Sequence, residues 1–188
     1  MFSDEQLITN YFTGDKKSLE ILINRYLKPI YNFVYRYIGD KHEAEDVTQE
    51  IFLKMWRNLK KFKKEKKFKT WLFTIAKNTC LDFLKKKKAI LFSEFENEKE
   101  ENRFIETLID PGPLPNEIFE QTMNKELLYQ AINQLPLKYR LILFLHYNNH
   151  FTFQEIAEIF NEPLNTIKSR HLRAILMLKK LLKINLLI

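Results

Sequence analysis

Three clusters of side chains carry chemistry by type and spacing. The first lies at 164–178, LNTIKSRHLRAILML. Projected at about 100° per residue, Thr166, Lys168, Ser169, Arg170, Leu172 and Arg173 fall at the front end and on the outer side of one helix. Ile167, Ala174 and Leu178 face inward. Such a helix suits duplex DNA: its first turns meet base edges in the major groove while basic side chains hold phosphates. An αα-hairpin with no DNA role is the alternative. The second cluster is KKFKKEKKFKTW at 60–71, seven lysines around Phe62, Phe68 and Trp71 with only Glu65 opposing them. Phe73, Lys77, Phe83 and Lys85 to Lys88 follow. Lysines this dense repel one another unless a polyanion neutralises them, and counterion release makes such binding salt-dependent. Aromatic rings among them suit unstacked bases, at roughly 1–3 kcal/mol per base. The alternatives are rings in the core with solubilising lysines, or a localisation signal. Trp71 is assigned first to the core. The third cluster is DKHEAEDVTQEIFLKMWRN at 40–58. Asp46, Gln49, Glu50, Leu53 and Arg57 fall opposite an apolar face of Ala44, Val47, Thr48, Ile51 and Met55, with Phe52 and Leu59 at its margin. A single exposed leucine is ordinary. Ringed by acidic groups on a basic segment, it also suits a helical protein partner.

Catalytic and metal chemistry finds little to work with. His146 and His150 have i,i+4 spacing, but Asn148-Asn149 between them should end the helix. No third ligand is evident and HExxH is absent. Three glycines in 188 residues do not build a phosphate loop. Cys80 sits among apolar helical positions and reads as an inert core thiol. The reading is a protein that is not an enzyme, with no cofactor and no metal.

The elements that position these groups read as helices. Ser3 with Gln6, Asp40 with Glu43 and Thr152 with Glu155 fit the capping box. Asp15 is a cap for a long helix carrying Leu19, Leu22, Ile23, Tyr26, Ile30, Phe33, Val34 and Tyr37. Pro29 should kink that helix and Gly39 should end it. A further helix runs from about Thr70 into the lysines at 85–88. Residues 117–134, 136–148, 152–160 and 164–183 read as four more. Asn161-Glu162-Pro163 breaks the last two into a helix-turn-helix, with small Ala157 at the close approach. Strand alternation is absent and no Asn-Gly or Asp-Gly hairpin occurs. The fold class is all-α: two small helical bundles, the second containing the helix-turn-helix.

Charge divides the chain the same way. Residues 1–88 carry 20 Lys and Arg against 11 Asp and Glu, residues 89–117 carry 2 against 8, and residues 118–188 carry 9 against 5. Two basic modules on an acidic linker follow, with Asp110-Pro111-Gly112-Pro113 as a breaker in a solvated tether. The net charge is +7, and an apolar share of 45% is enough for real cores. One cysteine excludes a disulfide framework and points to a reducing compartment. No uncharged apolar run reaches the roughly 18 residues of a span. MFSDEQLITN has neither the basic nor the apolar region of a signal peptide. A basic, soluble, intracellular protein with no membrane insertion is expected.

These residues together resemble the sigma-70 family of bacterial transcription initiation factors, in its small two-domain extracytoplasmic-function (ECF) group. AEDVTQEIFLKMW at 44–56 and FKTWLFTIAKNTCLDFLKKKK at 68–88 look like the family's region two. LPLKYR at 135–140 and FTFQEIAEIFNEPLNTIKSRHLRA at 151–174 look like its region four. The resemblance implies that Asp46, Gln49, Glu50 and Leu53 dock on the clamp helices of the largest subunit of core RNA polymerase. It implies that residues 1–88 recognise and melt the minus-ten element through Lys69, Trp71, Lys77, Asn78, Lys85 and Lys86, with a flipped base read near Asn78. It implies that 118–188 read the minus-thirty-five element through Thr166, Lys168, Ser169, Arg170, Leu172 and Arg173. The acidic stretch 89–117 resembles the inter-domain linker that enters the polymerase cleft. Promoter DNA, both double-stranded and melted, is the second partner, and an anti-sigma factor is left open as a third. A cytoplasmic protein, nucleoid-associated in the holoenzyme, is implied. Departures from the family pattern fall at Asn165, commonly Gly, and at His171-Leu172, where many members read Leu-His. A simple helix-turn-helix regulator that never binds polymerase is the competing reading. It would leave the lysine-aromatic tract and the acidic face unused.

Overall fold

The computed structural model describes residues 2–63, 67–94 and 123–185, and these form helices and short connections with no strand among them. The chain divides into two compact units, Met1–Asn97 and Glu98–Ile188.

The first unit holds α1 (Asp4–Phe12), α2 (Lys16–Ile38), α3 (Lys41–Asn58), a 3-10 turn (Leu59–Lys61) and α4 (Phe68–Glu94). Local signals set the ends. Ser3 and Gln6 form the expected reciprocal cap on α1, satisfying two amides that a helix start leaves orphaned. Asp15 accepts the Lys17 amide at 3.0 Å and starts α2. Gly39, in the left-handed region at φ 82°, ends it, a conformation a Cβ would oppose. Pro29 lies inside α2, which continues past it to Ile38. The expected box at Asp40 forms only in half. Asp40 accepts the Glu43 amide at 2.9 Å, but the Glu43 carboxylate turns to Lys87 Nζ at 2.6 and 2.8 Å. A long-range ion pair has taken the carboxylate that the local motif would have used.

Burial follows the 3.6-residue period. Helix α2 packs on α1, α3 and α4, and α3 also packs on α4. Leu22, Ile30, Phe33 and Val34 of α2, Ala44, Val47, Ile51 and Met55 of α3, and Leu72, Phe73 and Ala76 of α4 close the core. Each large apolar side chain buried this way contributes about 1.5–3 kcal/mol before entropy is counted. Phe33 meets Phe73 edge-on at 5.3 Å. Asp4 joins α1 to α2, taking Arg25 as an ion pair and the Tyr26 hydroxyl as a donor. Burial, then the hydrogen bond to Asp4, raises the Tyr26 pKa. Cys80 is fully buried and its thiol is pushed up by desolvation, the inert core position expected of it.

The second unit holds α5 (Met123–Asn133), α6 (Leu137–Leu143), a π-helical turn (Phe144–Asn148), α7 (Phe153–Phe160) and α8 (Leu164–Asn185). Helix α8 packs on α5, α6 and α7. Leu135, Leu143 and Ala174 form one buried cluster, with Tyr139, Ile175, Leu178 and Leu181 against it. Thr152 and Glu155 form the reciprocal cap expected at α7. Asn161 ends α7 in the left-handed region at φ 54°, where Asn is tolerated. Asn165 lies within the first turn of α8, so the turn between the helices closes without a glycine.

The acidic stretch expected at 89–117 begins inside α4, which runs on to Glu94. Its remainder, 95–117, and the expected helix start at 117–122 lie outside the described residues.

Candidate nucleic-acid and protein interfaces

On α3 the inner face is closed by the core, so Asp46, Gln49, Glu50, Leu53 and Arg57 are all exposed together. Leu53 keeps 51% of its surface in water. Glu50 pairs with Lys54 one turn on, at 2.8 Å. Lys54 also reaches Thr79 of α4 at 3.2 Å, which ties this exposed face to the lysine-bearing helix. The sequence reading missed Trp56. It stands 50% exposed, three residues from Leu53, and its indole donates to Tyr11 Oη at 2.9 Å. Its spacing from Leu53 was the available signal, since i,i+3 residues are neighbours on a helix.

Helix α4 is covered on two sides, by α2 and α3, which leaves a narrow outer surface. Asn78, Lys85 and Lys86 are on it and exposed. Lys69 is half-buried. Lys77, implied by the resemblance to act at the minus-ten element, is 9% exposed and lies in the bundle. The aromatics divide in the same way. Phe68 and Phe73 are core. Trp71 is half-buried in a three-ring cluster, 5.2 Å from Phe62 and 5.7 Å from Phe68. Packing was the first assignment for Trp71, and this geometry agrees with it. Of the seven lysines at 60–71, Lys64 and Lys66 lie outside the described residues.

On α8 the inward residues are Ile167 and Ala174, both fully buried. Lys168, Ser169, Leu172 and Arg173 are exposed on the outer side, and Thr166 is half-buried. Ser169 Oγ donates to the Thr166 carbonyl at 2.9 Å. Arg170 is held by Glu162 of the turn, at 2.7 and 2.9 Å, a partner the sequence pattern did not reveal. His171 turns inward, as projection places it, into a ring cluster. It lies 4.8 Å from Phe153 and 5.4 Å from His146, with Tyr147 Oη 3.1 Å from its Nε2. Burial and then the His146 charge lower its pKa. His146 Nδ1 is 2.8 Å from the Phe151 carbonyl, whereas His150 is exposed beyond the helix with φ 55°. The two histidines therefore share no site. Among the described residues, no group of three or more His, Cys, Asp or Glu could hold a metal ion. No helix of the described residues is long and apolar enough to cross a membrane.

A helix-turn-helix with a basic outer face, on one chain with a separate bundle edged with lysine, defines a helical DNA-binding protein of two units. Comparison with known proteins narrows the class. The family model for sigma-70 region 2 matches residues 22–90, and that for sigma-70 region 4 matches residues 125–178. The ECF RNA polymerase sigma factor SigW of Bacillus subtilis strain 168 is 34% identical over 158 residues, covering 84% of each chain. The ECF RNA polymerase sigma-E factor of Haemophilus influenzae is 29% identical and covers 92% of this chain and 91% of that one. The chain belongs to the sigma-70 family, in its ECF group. Two solved structures share the fold. The sigma factor RpoE of Bartonella quintana, in complex with the anti-sigma factor NepR, has a TM-score of 0.68 at 23% identity, covering 89% of this chain and 98% of that one. CnrH, in complex with the cytosolic domain of CnrY, has a TM-score of 0.64 at 18% identity, covering 96% and 97%.

Proposed function

We propose that this protein is a bacterial transcription initiation factor that binds core RNA polymerase, directs it to specific promoters and helps open the DNA there. The observation that carries this is the presence on one chain of both matched regions, aligned with SigW over 84% of each protein. A simple helix-turn-helix regulator has no use for the first unit.

Each exposed surface then has a task. Asp46, Gln49, Glu50 and Leu53 dock on core polymerase, the charges giving orientation and the leucine a desolvated anchor. Lys69, Trp71, Asn78, Lys85 and Lys86 hold the minus-ten element, the lysines on phosphates and Asn78 on the edge of an unstacked base. An amide suits that role because it both donates and accepts. Thr166, Lys168, Ser169, Arg170, Leu172 and Arg173 read the minus-thirty-five element. Residues 1–88 and 118–188 are the two working domains and 89–117 the linker that lets both engage one polymerase. The protein acts in the cytoplasm, on the nucleoid when in holoenzyme. An anti-sigma factor that masks the first or second unit is the expected regulator, as the RpoE structure of Bartonella quintana was captured with such a partner.

Reconstitution with core polymerase tests this directly. The wild-type chain should support run-off transcription and make minus-ten thymines reactive to permanganate. Asn78→Ala should keep the closed complex and lose most of that reactivity, with partial rescue on a pre-melted bubble template, since base flipping costs a few kcal/mol that a bubble has already supplied. Promoter binding without any run-off product would move the chain to the regulator class.

A further inference from the structure

Leu172 is the most exposed large apolar side chain of the described residues, at 60%. It has no donor or acceptor. Its outward neighbours are Lys168 and Ser169 one turn before it, Arg173 beside it and Leu176 one turn after. It lies eight residues from Leu164, where α8 begins, a rise of about 12 Å. That keeps Leu172 within the front turns of α8, the part of a recognition helix that meets base edges. Leu176, 57% exposed, is about 6 Å farther along the axis.

We infer that Leu172 reads the C5-methyl group of a thymine in the minus-thirty-five element and thereby selects thymine at one position. The chemistry leaves one complement. Set against guanine O6 and N7, cytosine N4 or adenine N6, a leucine removes water and returns no hydrogen bond, which leaves a polar group unpaired. Thymine alone presents an apolar group in the major groove, and apolar side chains meet it there. The surrounding Lys168 and Arg173 make this a surface for a polyanion, so the leucine faces DNA while the cations fix its register on the phosphates. The inference rests on the minus-thirty-five reading assigned to α8 above and adds the group that is read.

The test uses holoenzyme reconstituted from the full chain and DNA selected by it from a library randomised at the minus-thirty-five element. Each thymine of the selected element is then replaced by deoxyuridine, which removes only the methyl. At one position uracil should weaken wild-type binding about fourfold, the worth of one buried methyl. Leu172→Ala should bind the thymine DNA more weakly and be indifferent to uracil at that same position, the non-additivity expected of a direct contact. Because Leu172 is exposed, the variant keeps its core. An element selected without thymine, equal uracil sensitivity in wild type and variant, or unchanged DNA binding by Leu172→Ala would each overturn the inference. The last outcome would assign Leu172 and Leu176 to a protein contact. Arg173→Ala separates the two levels: if it weakens binding while uracil is neutral, only the methyl contact falls. If Arg173→Ala and every uracil are all neutral, α8 is not the reader.

Discussion

Helices α3 and α8 each carry a leucine on the face their own bundle leaves uncovered, yet the charge around the two is opposite. Leu53 is 51% exposed among Asp46, Gln49 and Glu50, whereas Leu172 is 60% exposed among Lys168, Ser169 and Arg173. In both, the inner face is fully used by the core, so neither leucine is a packing residue turned aside. On the proposed function, the pairing teaches how one fold principle would serve two partners. An apolar anchor supplies contact energy on desolvation, and the ring of charge decides whether the partner is a protein surface or a polyanion. The difference extends to how free the charges are. Among the described residues Glu50 pairs within its own helix, with Lys54, while Arg170 is held across the turn by Glu162.

Reversing the α3 side of this comparison should have the largest effect. Leu53→Asp with Glu50→Lys removes the anchor and inverts one charge on a surface the bundle does not need. Binding to core polymerase should fall at least tenfold, as expected for loss of a central interface residue, while circular dichroism of the free protein stays that of wild type. Capture of core enzyme at wild-type levels would remove α3 from the interface.

On the α8 side the two arginines should separate. Arg173 is exposed, so its contact with DNA displaces only water. Arg170 must leave Glu162 first, so part of its gain is lost. Arg173→Ala should therefore weaken promoter binding by holoenzyme more than Arg170→Ala does, by about 1–3 kcal/mol if it holds a base edge. If Arg173 holds a phosphate instead, all sequences should weaken alike and the salt slope should fall by about 1. Measuring affinity at several salt concentrations distinguishes the two, and wild-type affinity in the double variant would end the assignment.

How much of this was legible in the sequence depends on whether the deciding partner is local. The caps at Ser3, Asp15, Gly39 and Thr152 are settled within a few residues, and all form as read. The buried stripes of α2 and α3 follow from periodicity alone. Glu43 was misread because Lys87, its partner, is 44 residues away. The burial of Lys77 was not legible because a run of lysines does not say that α2 and α3 both cover α4. Glu162 and Arg170 are eight residues apart but separated by the turn, so neither helix periodicity nor the capping pattern joins them. Trp56 was legible by spacing from Leu53 and was passed over in favour of the charged pattern. The π-helical turn at Phe144–Asn148 has no sequence signal that we can name.

The smallest expected effect tests the inner faces of the same two helices. Beneath Leu53, α3 buries Ala44, Val47, Ile51 and Met55, none of which titrates. Beneath Leu172, α8 places His171 against Phe153, His146 and Tyr147. Desolvation, and then His146, hold the folded-state pKa of His171 below that of the free side chain, about 6.5. Above pH about 6.5 the ring is neutral in both states and the second unit keeps its full stability. As pH falls through that value the unfolded chain binds a proton that the folded chain resists, so stability declines until the lower, folded-state pKa is passed. His171→Leu should flatten this part of the pH dependence, seen as a smaller change of thermal midpoint between pH 7.5 and 5 (on the order of a few degrees at most for a marginal domain). The ring proton of His171 in the wild-type chain should titrate below about 6.5 by NMR. A variant with an unchanged pH profile would show that His171 does not carry the sensitivity, and a His171 that titrates at or above the free value would show that the ring cluster does not desolvate it.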